Sequence, residues 1–242
     1  MRALMEGRAN RHHEAGPGKR SMINERNGTS NTSKLFKIIR SQKTTREYRN
    51  HQDIFSQGDA ANAIFYIEKG NVKLTVASTR GKKAVIAILG HGDFFGEGCL
   101  AKQMAWGSTA TTMLQSTIAS VPRGAMNRII RQNPLFSRLF ISHLADQMVR
   151  IEDNLANQIF NSSEKRLARI LLMLAHRNGG KDGNGKLLFP GMIQDNLAQM
   201  VGTTRSRINF FMNKFRKKGL ISYNGKDKFS VHRSLLSAVL HD

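Results

Sequence analysis

Between about positions 45 and 122 the apolar residues come in short runs, each closed by glycine or another turn residue. Ile54–Phe55 runs into Gln57-Gly58-Asp59, Ile64–Ile67 into Lys69-Gly70-Asn71, and Ala84–Leu89 into Gly90-His91-Gly92-Asp93. Val72, Leu74 and Val76 alternate with Lys73 and Thr75, the period-2 pattern of a strand with one buried face. Arg80-Gly81-Lys82 turns the chain into the next strand, and further strands are expected near Ser108–Met113 and Ile118–Val121. Short strands at regular spacing with glycine at the turns predict an antiparallel sandwich or roll.

After Pro122 the period changes. Ala125–Arg131 reads as a short helix, and Pro134 suits the first turn of a longer one. Along it Ile141, Leu144, Met148, Ile151 and Leu155 are spaced 3, 4, 3 and 4, with Ile159 following at 4, while Asp146, Arg150, Glu152 and Asp153 take outer positions. Such an a/d seam predicts that two copies of the helix pair; the alternative is an amphipathic helix lying on its own sheet. Ser162-Ser163-Glu164 interrupts the seam, and Ser162 or Ser163 can cap a helix over Arg166–His176 with Leu167, Ile170, Leu171 and Leu174 on its apolar face. Asn178-Gly179-Gly180 ends that helix, and Lys181–Lys186 is a Gly-rich loop. The expected organisation is α+β: a basic arm over 1–33 without periodicity and expected to be disordered, an antiparallel β-roll over 34–131, a long helix over 132–160 and a helical domain over 161–242.

Within that last segment a helix over Ile193–Met200, the turn Val201-Gly202-Thr203 and a helix over Thr204–Lys218 follow one another. Two helices crossing steeply need a small residue where their backbones approach, a residue tolerant of positive φ at the turn, and an apolar residue on the second helix facing the first. Ala198, Gly202 and Ile208 supply these at the matching spacing, and Leu197, Val201 and Phe211 fill the remaining core positions. The outer face of the second helix carries Arg205, Ser206, Arg207, Asn209 and Asn213, side chains able to bond guanine or adenine edges in a major groove. Thr203 and Thr204 stand at its start, where hydroxyls and backbone amides hold phosphate. Gly219 closes the helix, and Asn224-Gly225-Lys226-Asp227 between Leu220–Tyr223 and Phe229–Val231 signals a hairpin, a wing whose Lys226 and Lys228 reach toward a DNA backbone.

Charge agrees with this reading. Lys and Arg number 38 against 17 Asp and Glu, a net +21 over 242 residues, which puts nucleic acid first among partners. The excess is segregated, at +8 over residues 1–50 and +10 over 161–242 against +3 over 51–160. One cysteine, Cys99, excludes a disulfide framework and a thiolate cluster. No Ser/His/Asp elbow, metal-ligand spacing or Walker loop is present, so an enzyme is not expected, nor is a cofactor or bound metal. The longest apolar stretches are far too short to span a bilayer, and MRALMEGRANRHH lacks a signal-peptide core, so a cytosolic chain without membrane attachment is expected.

Taken with their order and spacing, these motifs resemble the Crp/Fnr family of bacterial transcription regulators over about residues 45–231. FSQGDAANAIFYIEKGNVKL and AILGHGDFFGEGCL look like the family's cyclic-nucleotide-binding-type roll, RQNPLFSRLF like the start of its dimerisation helix, and SSEKRLARILLMLA with LAQMVGTTRSRINFFMNKFRKKGLI like its winged helix-turn-helix. The resemblance implies a homodimer that binds a pseudo-palindromic operator on double-stranded DNA and recruits or blocks RNA polymerase. It also implies an effector pocket, in which Gly96-Glu97 matches the pair that binds ribose in the family's cyclic-nucleotide binders and Ser108 matches a small hydroxyl residue. The Arg that grips the cyclic phosphate there is Gly107 here, and the purine-facing positions of the long helix are Ile151 and Glu152. A buried phosphate monoanion without a cation is strongly disfavoured. The expectation is therefore regulation without cyclic AMP, the alternative being a nucleotide-responsive roll, and the effector is left unidentified.

Overall fold

The computed structural model describes residues 34–101, 104–178, 187–190, 194–223, 228–232, 234–235 and 239. The basic arm expected over 1–33 lies outside them. A short helix, α1 (residues 34–39), leads into β1 (Thr44–Tyr48), β2 (Asp53–Phe55), β3 (Ala63–Lys69), β4 (Val72–Ala77), β5 (Lys83–Leu89), β6 (Phe94–Phe95), β7 (Thr109–Thr112) and β8 (Ser116–Pro122). These form two antiparallel sheets, ordered β1-β8-β3-β6 and β2-β7-β4-β5. The expected roll is present.

Its core explains its strand patterns. Phe55, Phe65, Phe95 and Trp106 meet between the sheets, with Phe55 stacked on Trp106 at 4.2 Å and Phe65 on Phe95 at 5.1 Å. β3 is buried on both faces, because Phe36 of α1 stacks on Tyr66 at 4.6 Å, so Ile64–Ile67 reads as a continuous apolar run rather than an alternation. Gly70 turns β3 into β4 at φ +98°, a conformation that L side chains avoid, and a Cβ there would collide with Ser116.

α2 (Arg123–Gln132) and α3 (Pro134–Phe160) follow. Asn133 caps α3 by accepting the Phe136 amide at 2.9 Å, and Pro134 occupies the first turn as expected. The first half of α3 belongs to the roll: Phe136, Leu139, Phe140 and His143 are buried, and Gln147 Nε2 donates to the Phe94 carbonyl at 3.0 Å. The second half carries exposed apolar side chains.

Beyond it lie α4 (Ser163–Asn178), β9 (Leu187–Pro190), α5 (Gln194–Val201), α6 (Arg205–Lys217), β10 (Ile221–Tyr223) and β11 (Lys228–Val231). Leu167, Leu171, Leu197, Val201, Ile208, Phe215, Ile221 and Val231 form their shared core. Arg166 ties the junction together, donating to the carbonyls of Gln158, Asn161 and Val201 at 3.0–3.1 Å. Lys214 of α6 pairs with Glu164 of α4 at 2.8 Å. The roll touches this unit through β4 and β5: Ile88 of β5 is buried in its core, and Lys73 Nζ of β4 donates to Asn196 Oδ1 at 3.1 Å.

Candidate nucleic-acid interface

The crossing of α5 and α6 is built from the three expected positions. Ala198 is buried at the crossing, Gly202 turns the chain at φ +69°, and Ile208 is fully buried beneath α6. A Cβ on Gly202 would meet only Gln158 Oε1 at 3.8 Å, so its backbone angle, not crowding, calls for glycine. Leu197 and Val201 complete the core, with Phe211 packed half-buried against it.

Polar groups at the turn are partly spoken for. The Thr203 amide donates to the Ala198 carbonyl at 3.0 Å, which leaves its hydroxyl as the group it can offer a phosphate. Thr204 has extended backbone and caps α6, its Oγ1 accepting the Arg207 amide at 3.3 Å, which leaves its own hydroxyl hydrogen free to donate to an anion at the positive end of the helix. Thr204, Arg205, Ser206, Arg207, Asn209 and Asn213 are all exposed, and Thr203 is half-buried. Arg205 pairs with Asp195 of α5 at 3.3 Å, which ties its guanidinium to the first helix of the motif. Both groups are more than half exposed, so the pair orients Arg205 rather than stabilising the fold. The structure adds one large side chain that the sequence reading passed over: Phe210, 66% exposed on this same face.

The wing is present as strands. β10 and β11 pair antiparallel with Tyr223 opposite Phe229, and β11 pairs in turn with β9. Lys226 and the Lys228 side chain lie outside the described residues.

The expected effector region is crowded by aromatics. Gly96 (φ +83°) lies under Trp106, whose indole would be 3.1 Å from a Cβ there. Glu97 is half-buried, but its Oε2 is shut off from solvent and has no hydrogen-bond partner among the described residues, and desolvation raises its pKa above the usual carboxylate range. Gly107 brings no charge and Ser108 is half-buried. Cys99 is a buried thiol whose pKa burial raises, the opposite of an activated sensor thiol. Among the described residues no group of three or more His, Cys, Asp or Glu is placed to hold a metal.

Comparison with known proteins matches this geometry in both halves. A cyclic nucleotide-binding domain model covers residues 45–133, and a Crp-like helix-turn-helix domain model covers residues 165–233. Over 173 residues, 72% of this chain and 77% of the relative, the chain is 30% identical to a CRP-like cAMP-activated global transcriptional regulator of Mycobacterium tuberculosis. It belongs to the Crp/Fnr family of DNA-binding transcription regulators. An anaerobic regulatory protein of Bacillus subtilis is 20% identical over 203 residues, 84% of this chain and 85% of that one. The c-di-GMP responsive global regulator CLP of Xanthomonas campestris shares the fold, with a TM-score of 0.71 at 18% identity over 83% of this chain and 99% of that one.

Members of this Crp/Fnr family are regulators rather than enzymes. Of the seam on α3, Ile141, Met148, Ile151 and Leu155 are exposed, whereas Leu144 is half-buried against the roll's own core. No helix among the described residues is long and apolar enough to cross a membrane.

Proposed function

We propose that this Crp/Fnr regulator acts as a homodimer on a pseudo-palindromic operator in double-stranded DNA, one α6 in the major groove of each half-site. The observation that carries this reading is the face of α6. It exposes Arg205, Ser206, Arg207, Asn209 and Asn213 above a turn whose Ala198, Gly202 and Ile208 hold the two helices in a DNA-reading cross. Lys226 and Lys228 on the wing add backbone contacts, and RNA polymerase is the protein partner through which occupancy becomes regulation. The 34–131 roll, the 132–160 helix and the 161–242 domain then serve as sensor, dimer and DNA-reading units.

Regulation proceeds without cyclic AMP in this reading. One relative is named for activation by cAMP and a structural neighbour for response to c-di-GMP, so one fold serves different ligands and does not by itself assign one here. Gly107 offers no cation to a cyclic phosphate, Trp106 packs over Gly96, and the family resemblance assigns Ile151 and Glu152 to the purine-facing positions. A second reading, a cyclic-nucleotide-responsive regulator, is favoured by the unpartnered, buried Oε2 of Glu97, an acceptor suited to a ligand hydroxyl.

Replacing Arg205 or Arg207 by Ala tests the proposal: each should lose about 1–3 kcal/mol against the specific site and relax its base preference. Lys226→Ala should weaken specific and random DNA alike and lower the salt slope by about one. Unchanged affinity and footprint in both Arg variants would remove α6 as the reading helix.

A further inference from the structure

The proposed reading of α6 leaves one of its side chains unexplained. Phe210 is 66% exposed at the centre of the outward face, one turn beyond Ser206 and one turn before Asn213, with Asn209 beside it. The helix's buried stripe, Ile208, Met212 and Phe215, lies on the opposite side. Phe211 braces the ring edge-on, with centroids 5.7 Å apart, and is itself held half-buried against the core. The benzyl group is therefore presented to solvent on a supported base.

An exposed phenyl ring among arginine and asparagine side chains has no hydrogen bond to offer a base edge. In the major groove the one apolar feature is the C5-methyl of thymine, and an aromatic or aliphatic side chain over it is a recognised base contact. The charge of the surroundings selects DNA over a protein partner: the face carries Arg205 and Arg207, and the segment 161–242 holds 15 basic against 5 acidic residues. We infer that Phe210 is a specificity-determining residue, packing its ring against the methyl group of one thymine in each half-site. Asn209 and Asn213 on the same face suit adenine, so that thymine lies in an A/T-containing part of the operator. This inference rests on α6 being the reading helix, and the test separates the two.

The experiment uses the full chain and a site selected from random DNA. Each thymine of that site is replaced in turn, symmetrically in both half-sites, by deoxyuridine, which removes only the methyl group, and affinity is measured by fluorescence anisotropy. Wild-type protein should lose about fourfold per half-site at one symmetry-related thymine, the size of one lost methyl contact. Phe210→Ala should bind the parent site more weakly and be indifferent to uracil at that position, while Phe210→Leu should keep part of the discrimination. A flat uracil scan with wild-type protein, or full sensitivity surviving in Phe210→Ala, overturns the inference while specific binding stands. Loss of dimer in Phe210→Ala with a flat scan would place the ring in a protein interface and also overturn it. Failure to select any sequence overturns the reading of α6 itself, and this inference with it.

Discussion

From Ile141 onward α3 carries an apolar row that the described residues of its own chain leave uncovered. Ile141, Met148, Ile151, Leu155 and Ile159 are 58–66% exposed, on a helix that buries Phe136, Leu139, Phe140 and His143 in the roll. In the proposed homodimer these side chains meet their copies across a two-fold axis, so a change at one position appears twice. Met148→Glu at both copies removes about 1–2 kcal/mol of burial per protomer. It also places two carboxylates in an apolar seam, where an unpaired charge costs several kcal/mol. A combined loss of at least about 4 kcal/mol raises the dimer dissociation constant about a thousandfold or more. Met148 is 63% exposed and is not a member of the roll core, so the variant should keep its far-ultraviolet dichroism, and Met148→Leu should stay dimeric. Sedimentation equilibrium at micromolar concentration is the assay, with operator binding measured in parallel. A Met148→Glu dimer as tight as the parent would refute the seam and move the interface elsewhere.

Other expected outcomes follow from single sites. His143 is buried against Phe94, its Nε2 faces the Gln147 amide at 2.9 Å, and desolvation lowers its pKa to about 4. The unfolded chain thus binds a proton that the fold excludes between about pH 4 and 6.5, and stability falls by up to about 3 kcal/mol as pH drops through that window. Urea unfolding should show this slope in the parent and a flatter one in His143→Phe; equal slopes would contradict it. Gly202→Ala forces a Cβ onto φ +69° and should cost about 1–2 kcal/mol in the same assay, despite the open space around it. Saturating cyclic AMP or cyclic GMP should change operator affinity by less than about threefold, well under the coupling of an allosteric effector. A saturable heat in calorimetry with a tenfold gain in operator affinity would restore the roll as a cyclic-nucleotide sensor.

What was legible in the sequence was whatever local spacing encodes. β4 forms where the alternation predicts a strand, although its burial does not alternate: Val72 and Thr75 are buried, Leu74 and Val76 half-buried, and its ladder with β5 shifts register between Leu74 and Thr75. The α5–α6 crossing is spelled out by Ala198, Gly202 and Ile208 within a few turns. Elements held by distant partners were not legible. β1 (TTREY) is almost wholly exposed and exists through its ladder with β8, so it shows no pattern of its own. β6 is two phenylalanines paired with β3, inside a stretch that reads as a glycine turn, and β9 exists through its pairing with β11. In the site, Phe210 escaped notice because a phenylalanine in a helix reads as core; only its exposure reveals the face it occupies. Leu144 fits the seam by spacing, yet α3 turns it partly into the roll, since the same stretch of helix must serve both surfaces.

The central claim is that α6, presented twice by a dimer, reads a symmetric DNA sequence. Selection of bound fragments from a random duplex pool with the full chain, followed by sequencing, tests it most directly. The account predicts an inverted repeat with half-site centres about one helical turn or a multiple of it apart. It also predicts that repeating the selection with Arg205→Ala relaxes the same position in both halves. A pool that remains random, or an enriched site without two-fold symmetry that Arg205→Ala leaves unaltered, would contradict it.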